Sequence, residues 1–189
     1  MKNRVSAVIL AGGQSCRFDY DDKGLLEWQG MALVQHVISR LEPQTDQLII
    51  NSNQNLDAYR GFGYEICSDQ QDGFQGPLAG IQAALPLAEY EWVLVSPCDT
   101  PLLPNNLVER LLTVLLDQDA DIAYPVCDGR QHYLPVLLKA SLLPSINQYL
   151  AGEQRSMKGW YRHENCIAVP FSTSPEVFSN FNNREDLLS

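Results

Sequence analysis

The chain has 189 residues, 45% hydrophobic and 19% charged, which is enough apolar material for one core and excludes a disordered chain. Its formal net charge of -10 repels phosphate backbones and anionic lipid, so neither nucleic acid nor membrane is an expected partner. An anionic small molecule can bind only where a few cations and main-chain N–H groups overcome that field.

The first predicted element is a buried strand over Val5–Leu10. The apolar stretch behind Met1 is too short for a signal peptide, and no run reaches the length of a membrane span. Cys16, Cys67, Cys98, Cys127 and Cys166 are odd in number and contain no C-x-x-C pair. Reduced thiols and a cytoplasmic location are therefore expected.

After the strand, Ala11-Gly12-Gly13 leaves almost bare main chain before Gln14-Ser15-Cys16-Arg17. "MALVQHVISRLEP" follows as a helix, with Leu33, Val37, Ile38 and Leu41 on one face and Pro43 as its stop. "QLIINSN" and "YEICSD" are short strands separated by a helical turn at Leu56–Tyr59. "GPLAGIQAALPLA" is a helix with Pro77 in its first turn, and "EWVLVSPCDTPLLP" a strand that runs into a proline-rich turn. "NNLVERLLTVLLDQ" is the next helix.

Beyond Asp121 the alternation changes: "DIAYPVCDGRQHYLPVLLK" is expected to form two strands joined across Asp128-Gly129, with His132 and Tyr133 as strand residues in the core. "ASLLPSINQYLAG" and "SMKGWYRHE" read as helices, "NCIAVPF" as a last strand and "REDLLS" as a terminal helix. No repeat or break in composition divides the chain, so a single domain over 1–189 is expected. Its class is α/β: a three-layer α/β/α Rossmann-like sandwich around a mostly parallel sheet with a mixed C-terminal part.

In such folds ligands sit beyond the C-terminal strand ends, which here carry Gly12-Gly13, Asn51, Asp69 and Asp99. Gly12 and Gly13 suit a phosphate cradle, although a tight turn would use the same residues. Neither G-x-x-x-x-G-K-[ST] nor G-x-G-x-x-G is present. Arg17 and Lys23 bring two cations to this loop, where a surface salt bridge to Asp22 is the alternative. Asp99, closing its strand before Thr100-Pro101, suits Mg²⁺, or else caps the turn. Asn51 and Asp69 offer an amide and a carboxylate to a base or ribose, or serve as turn residues.

LAGGQSCR followed by DKG, then GPLAG at residues 76–80, PCDTP at 97–101 and the closing FSNFNNREDLL together resemble the molybdenum cofactor guanylyltransferase family, over essentially the whole chain. The resemblance implies a nucleotidyltransferase fold that joins GMP from Mg-GTP to the terminal phosphate of molybdopterin and releases pyrophosphate. It implies GTP contacts from Leu10, Ala11, Gly12, Gly13, Lys23, Asn51, Asp69 and Asp99, with Asp99 also holding Mg²⁺. Arg17, Lys23 and Asp99 would be catalytic, and Asn180 and Asn182 would close the site. Other cofactor-biosynthesis proteins and apo-molybdoenzymes are implied partners, and a monomer is expected.

Two departures stand out: Phe18-Asp19 follows Arg17 where that family has Met-Gly, and Asn183-Arg184 replaces a Thr-Pro pair. The pterin is placed by neither motif nor spacing; Arg155, Lys158 and Arg162 beside Trp160 and Tyr161 could receive it, or form an amphipathic helix with its aromatics inward. A related enzyme using CTP or activating a sugar phosphate, and a non-catalytic cofactor carrier, are the competing functions.

Overall fold

The structure is a computed structural model and describes residues 4–12, 22–70, 76–182 and 186–187. Strand β1 (Val5–Leu10) lies at its centre, flanked in parallel by β4 (Gln47–Asn51) and β6 (Trp92–Pro97), so that Val8 stands opposite both Ile49 and Val95. β5 (Glu65–Cys67) continues the parallel order outside β4. On the other side β9 (Val136–Lys139) runs antiparallel to β6 and to β7 (Ile122–Cys127), and β10 (Cys166–Phe171) pairs in parallel with β7 at the far edge. The order across the sheet is β10-β7-β9-β6-β1-β4-β5, with the two-residue β8 (Arg130–Gln131) on β7. A separate small ribbon pairs β2 (Glu27–Trp28) with β3 (Met31–Ala32).

Alternation along the strands divides the core between the two faces. Val5, Ala7 and Ile9 pack with Leu48, Ile50 and Leu94 beneath α1 (Leu33–Leu41) and α4 (Leu107–Gln118). Val8, Ile49, Val93 and Val95 face the opposite way, onto α3 (Pro77–Ala84), α5 (Leu143–Ala151) and α6 (Met157–Tyr161). Helices thus cover both faces, as the alternation of elements predicts, and the expected fold class is found. The short α2 (Leu56–Arg60) sends Tyr59 into the first of these cores.

Two expectations need correction. Asp128-Gly129 does turn the chain, with both residues at positive φ (49° and 73°), but the strand it begins is interrupted. Residues 132–135 leave the sheet between β8 and β9, so His132 and Tyr133 are loop residues and not core strand residues. The terminal helix expected at 184–189 lies mostly outside the described residues.

Candidate active site

At the C-terminal ends of β1, β4 and β6, where the chain winds away from β1 in both directions, lies a cleft of about 670 Å³. A crevice at this position is the usual ligand site of an open α/β sheet. Leu10, Ala11, Gly12, Lys23, Asn51, Asp69, Asp99, Asn180 and Asn182 all line it. Gly13 and Arg17 lie outside the described residues, as does Asp19.

Asp99 lies two residues past the end of β6 and is 6% exposed. Its Oδ2 accepts from Lys23 Nζ in an ion pair, and the same ammonium donates to Asn182 Oδ1 at 2.9 Å. Oδ1 of Asp99 is buried with no hydrogen-bond partner among the described residues. A desolvated carboxylate oxygen left unpaired is costly, and a hard cation would satisfy it. The donor chemistry therefore fits Mg²⁺, with Asp99 as the residue that would hold it; no cluster of three or more His, Cys, Asp or Glu suited to a metal is found among the described residues.

Lys23 is held by its neighbours. Asp22 forms no salt bridge to it: the Asp22 carboxylate, 8% exposed, accepts from Gly24 N (3.1 Å), Tyr59 Oη (2.6 Å) and Asn55 Nδ2 (3.1 Å). Three donors from two segments fix the start of the Lys23 turn, and burial with Cys98 and Asp22 alongside keeps the Tyr59 hydroxyl far above its ordinary pKa. Sequence spacing gives no hint of Tyr59 or Asn55, which lie more than thirty residues from Asp22.

On the β4 side Asn51 Nδ2 donates to Asp69 Oδ1 and Asn53 Nδ2 to Asp69 Oδ2, each at 3.0 Å, while Asn53 Oδ1 accepts from the Asp69 main-chain N–H at 2.8 Å. The carboxylate is aimed by two amides, and Asn53 is a member of this site that sequence reading missed. Close packing makes the arrangement possible: a Cβ on Gly80 of α3 would stand 2.5 Å from Asn51 Oδ1 and 2.8 Å from Leu10 Cδ2. Gly80 belongs to the GPLAG segment, and its bareness brings α3 against the strand ends.

The bare main chain after β1 is partly committed to the sheet. Ala11 N–H donates to Asn51 O at 2.7 Å and Leu10 O accepts from Cys98 N–H at 3.0 Å, which leaves Gly12 N–H as the next main-chain donor at this edge.

The C-terminal segment reaches the same place from outside the sheet. Phe181 N–H donates to Asp99 O at 2.8 Å, Thr100 Oγ1 to Asn180 Oδ1 at 3.2 Å, and Asn182 Nδ2 to Asn180 O at 3.1 Å. Phe181 itself is buried edge-on against Trp28, with centroids 5.0 Å apart, in a small apolar cluster with Leu33. The two asparagines thus flank an anchor, which places both on the cleft.

The far wall is built by Arg130–Leu134, Met157, Phe178 and Ser179. Arg155, Lys158 and Arg162, considered from sequence for the pterin, are not among the residues lining the cleft. Trp160 and Tyr161 are buried in the core, Lys158 and Arg162 are exposed outside the cleft, and Arg155 donates to the carbonyls of Leu150 and Gln154. The amphipathic alternative describes α6.

The model of the MobA-like NTP transferase domain matches residues 7–167. A molybdenum cofactor guanylyltransferase of Shewanella sediminis is 40% identical over 185 residues, covering 98% of this chain and 94% of its own length, and one from Shewanella baltica (strain OS155) shows the same identity and coverage. Molybdopterin-guanine dinucleotide biosynthesis protein A of Archaeoglobus fulgidus superposes with a TM-score of 0.79 at 21% identity, over 97% of this chain and 95% of that one.

Proposed function

The chain belongs to the family of MobA-like NTP transferase domains, and from that premise and the cleft we infer that it is a molybdenum cofactor guanylyltransferase, transferring GMP from GTP to the terminal phosphate of molybdopterin. The observation that carries the mechanism is the Lys23–Asp99–Asn182 constellation, with one buried Asp99 oxygen unpaired, at the meeting of three strand ends.

The chemistry needs no activated side chain. An oxygen of the molybdopterin phosphate, already anionic, forms a bond to the α-phosphorus of GTP; the bond from that phosphorus to the oxygen bridging the β-phosphate breaks, and pyrophosphate leaves with the electron pair. The barrier comes from bringing two anions together in line inside a chain of net charge -10. Lys23 offsets the developing charge from within the cleft, and Arg17 is assigned the same work from the adjoining loop. Gly12 offers its main-chain donor to the triphosphate, Gly13 is assigned the same role, and Leu10 and Ala11 shape its floor. Mg²⁺ on Asp99, when bound, would neutralise phosphate charge. Asp69, aimed by Asn51 and Asn53, is placed to accept from the donor edge of guanine, and Asn180 and Asn182 cover the site. The same reading includes a monomeric, cytoplasmic enzyme formed as a single domain over 1–189, supported by one sheet that draws strands from Val5 to Phe171.

Pyrophosphate release from GTP in the presence of molybdopterin and Mg²⁺ tests this reading. Chelation should abolish release and added Mg²⁺ restore it, and Asp99→Ala should lower kcat by about a hundredfold or more with folding intact. Equal turnover with CTP would refute guanine selectivity, and full activity of Asp99→Ala would remove that carboxylate from the mechanism.

A further inference from the structure

Asp99 and Lys23 divide the cleft. The nucleotide assignment occupies one side, from β1 to Asp69 and Gly80, and leaves the opposite wall without a role. That wall is built by the connection between β8 and β9 and by Phe178, and it has two chemical features of its own.

Arg130 is held by the Asp128-Gly129 turn and the β7–β8 pairing, with Cys127 opposite it. Its exposed guanidinium has no carboxylate partner among the described residues, in contrast to Lys23, which is paired with Asp99. In so acidic a chain, an exposed cation lining a cleft is well placed for an anion.

His132, two residues on, is 8% exposed, and its main-chain N–H donates to Pro125 O at 2.9 Å. Its ring packs 5.1 Å from that of Phe178, and Nε2 is buried without a hydrogen-bond partner among the described residues. Burial, with the Arg130 charge adding to it, holds the imidazole below its ordinary pKa, so it is neutral at pH 7 and can donate or accept one hydrogen bond. A buried ring nitrogen left unsatisfied at a cleft wall is expensive unless a ligand uses it.

We propose that Arg130 and His132 form the subsite for the phosphorylated acceptor, Arg130 pairing with an anionic group of that substrate and His132 Nε2 hydrogen-bonding to its polar heterocycle. This rests on the guanylyl-transfer reading, in which the acceptor approaches from the side of Asp99 opposite the nucleotide. Phe178, packed against the His132 ring, supplies apolar surface beside it.

The test separates the two substrates. Wild-type and variant enzymes are assayed for pyrophosphate release with molybdopterin varied at saturating GTP and then the reverse, and each protein's melting temperature is measured with and without Mg-GTP. Arg130→Ala should raise KM for molybdopterin about tenfold or more while leaving KM for GTP and the GTP-induced melting shift unchanged, and Arg130→Lys should recover part of the loss. His132→Gln, which can still hydrogen-bond, should lose less than His132→Phe. An unchanged molybdopterin KM in both Arg130→Ala and His132→Phe, or an equal rise in both substrates' KM, overturns the subsite. Absence of GTP-dependent turnover in the wild-type protein would instead overturn the guanylyl-transfer reading itself.

Discussion

Replacing Gly80 by Ala sets two opposing effects against each other in one helix. Gly80 lies inside α3, where Ala is preferred by about 1 kcal/mol, so an unconstrained position would be stabilised. Here the new methyl would meet Asn51 Oδ1 at 2.5 Å and Leu10 Cδ2 at 2.8 Å. Leu10 is half-buried and can rotate, but Asn51 is 2% exposed and tied to Asp69, so it yields only by losing that bond. Overpacking of this kind costs about 1–3 kcal/mol, and loss of a buried hydrogen bond to a charged group about 1.5–3 kcal/mol. Together these exceed the helical gain by about 1.5–5 kcal/mol, which lowers Tm by roughly 3–20 °C at 2–4 °C per kcal/mol for this chain length. Because the displaced amide aims Asp69, KM for GTP should rise together with the fall in Tm. Thermal unfolding followed by circular dichroism, with steady-state kinetics on the same preparation, measures both. A variant as stable as the parent or more so, with unchanged KM for GTP, would refute the argument that α3 must approach Asn51 this closely.

Phe181→Ala should cost about 2–4 kcal/mol in chemical denaturation, because the ring fills the cluster with Trp28 and Leu33. It should also lower kcat under conditions where the protein remains folded, since Asn182 loses the anchor that presents it to Lys23. Stability should fall as pH rises above about 9, the ordinary thiol value. Burial pushes Cys67 up to about 11 and Cys166 to about 12, and raises Cys98 and Tyr161 well above their ordinary values, so the unfolded chain releases protons that the folded chain retains. Urea midpoints between pH 7 and pH 10 check this, and a flat or rising profile would contradict it.

The strand ends were legible because they obey local rules. An apolar run that terminates in Asp or Asn before a helix signal marks a residue at a sheet edge, and Asn51, Asp69 and Asp99 do converge on one cleft with Lys23. Partners brought in from distant segments were not. Asn53 looks like one more polar loop residue until its amide is seen on both the carboxylate and the main chain of Asp69, and Tyr59 resembles an ordinary core aromatic until its hydroxyl is found on Asp22. His132 and Tyr133 were misread because an Asp-Gly turn between apolar runs suggests an uninterrupted hairpin, whereas β8 stops after two residues and the chain returns to the sheet only at Val136. The stretch at residues 158–162 leaves two readings open in sequence, a ligand site or an amphipathic helix, and helical periodicity sends Trp160 and Tyr161 inward and Lys158 and Arg162 out.

The reversed course of β9 has one more consequence. A strand aligned with its neighbours delivers only its trailing end to the ligand side, but β9 presents its leading end there, and with it the segment that enters from β8. The two halves of the crevice are thereby fed by connections of opposite polarity. Changes in length or composition ahead of Val136 can remodel one half without disturbing the register of β1, β4 and β6 that supports the other. Such a layout lets one catalytic frame exchange its second substrate while keeping its first.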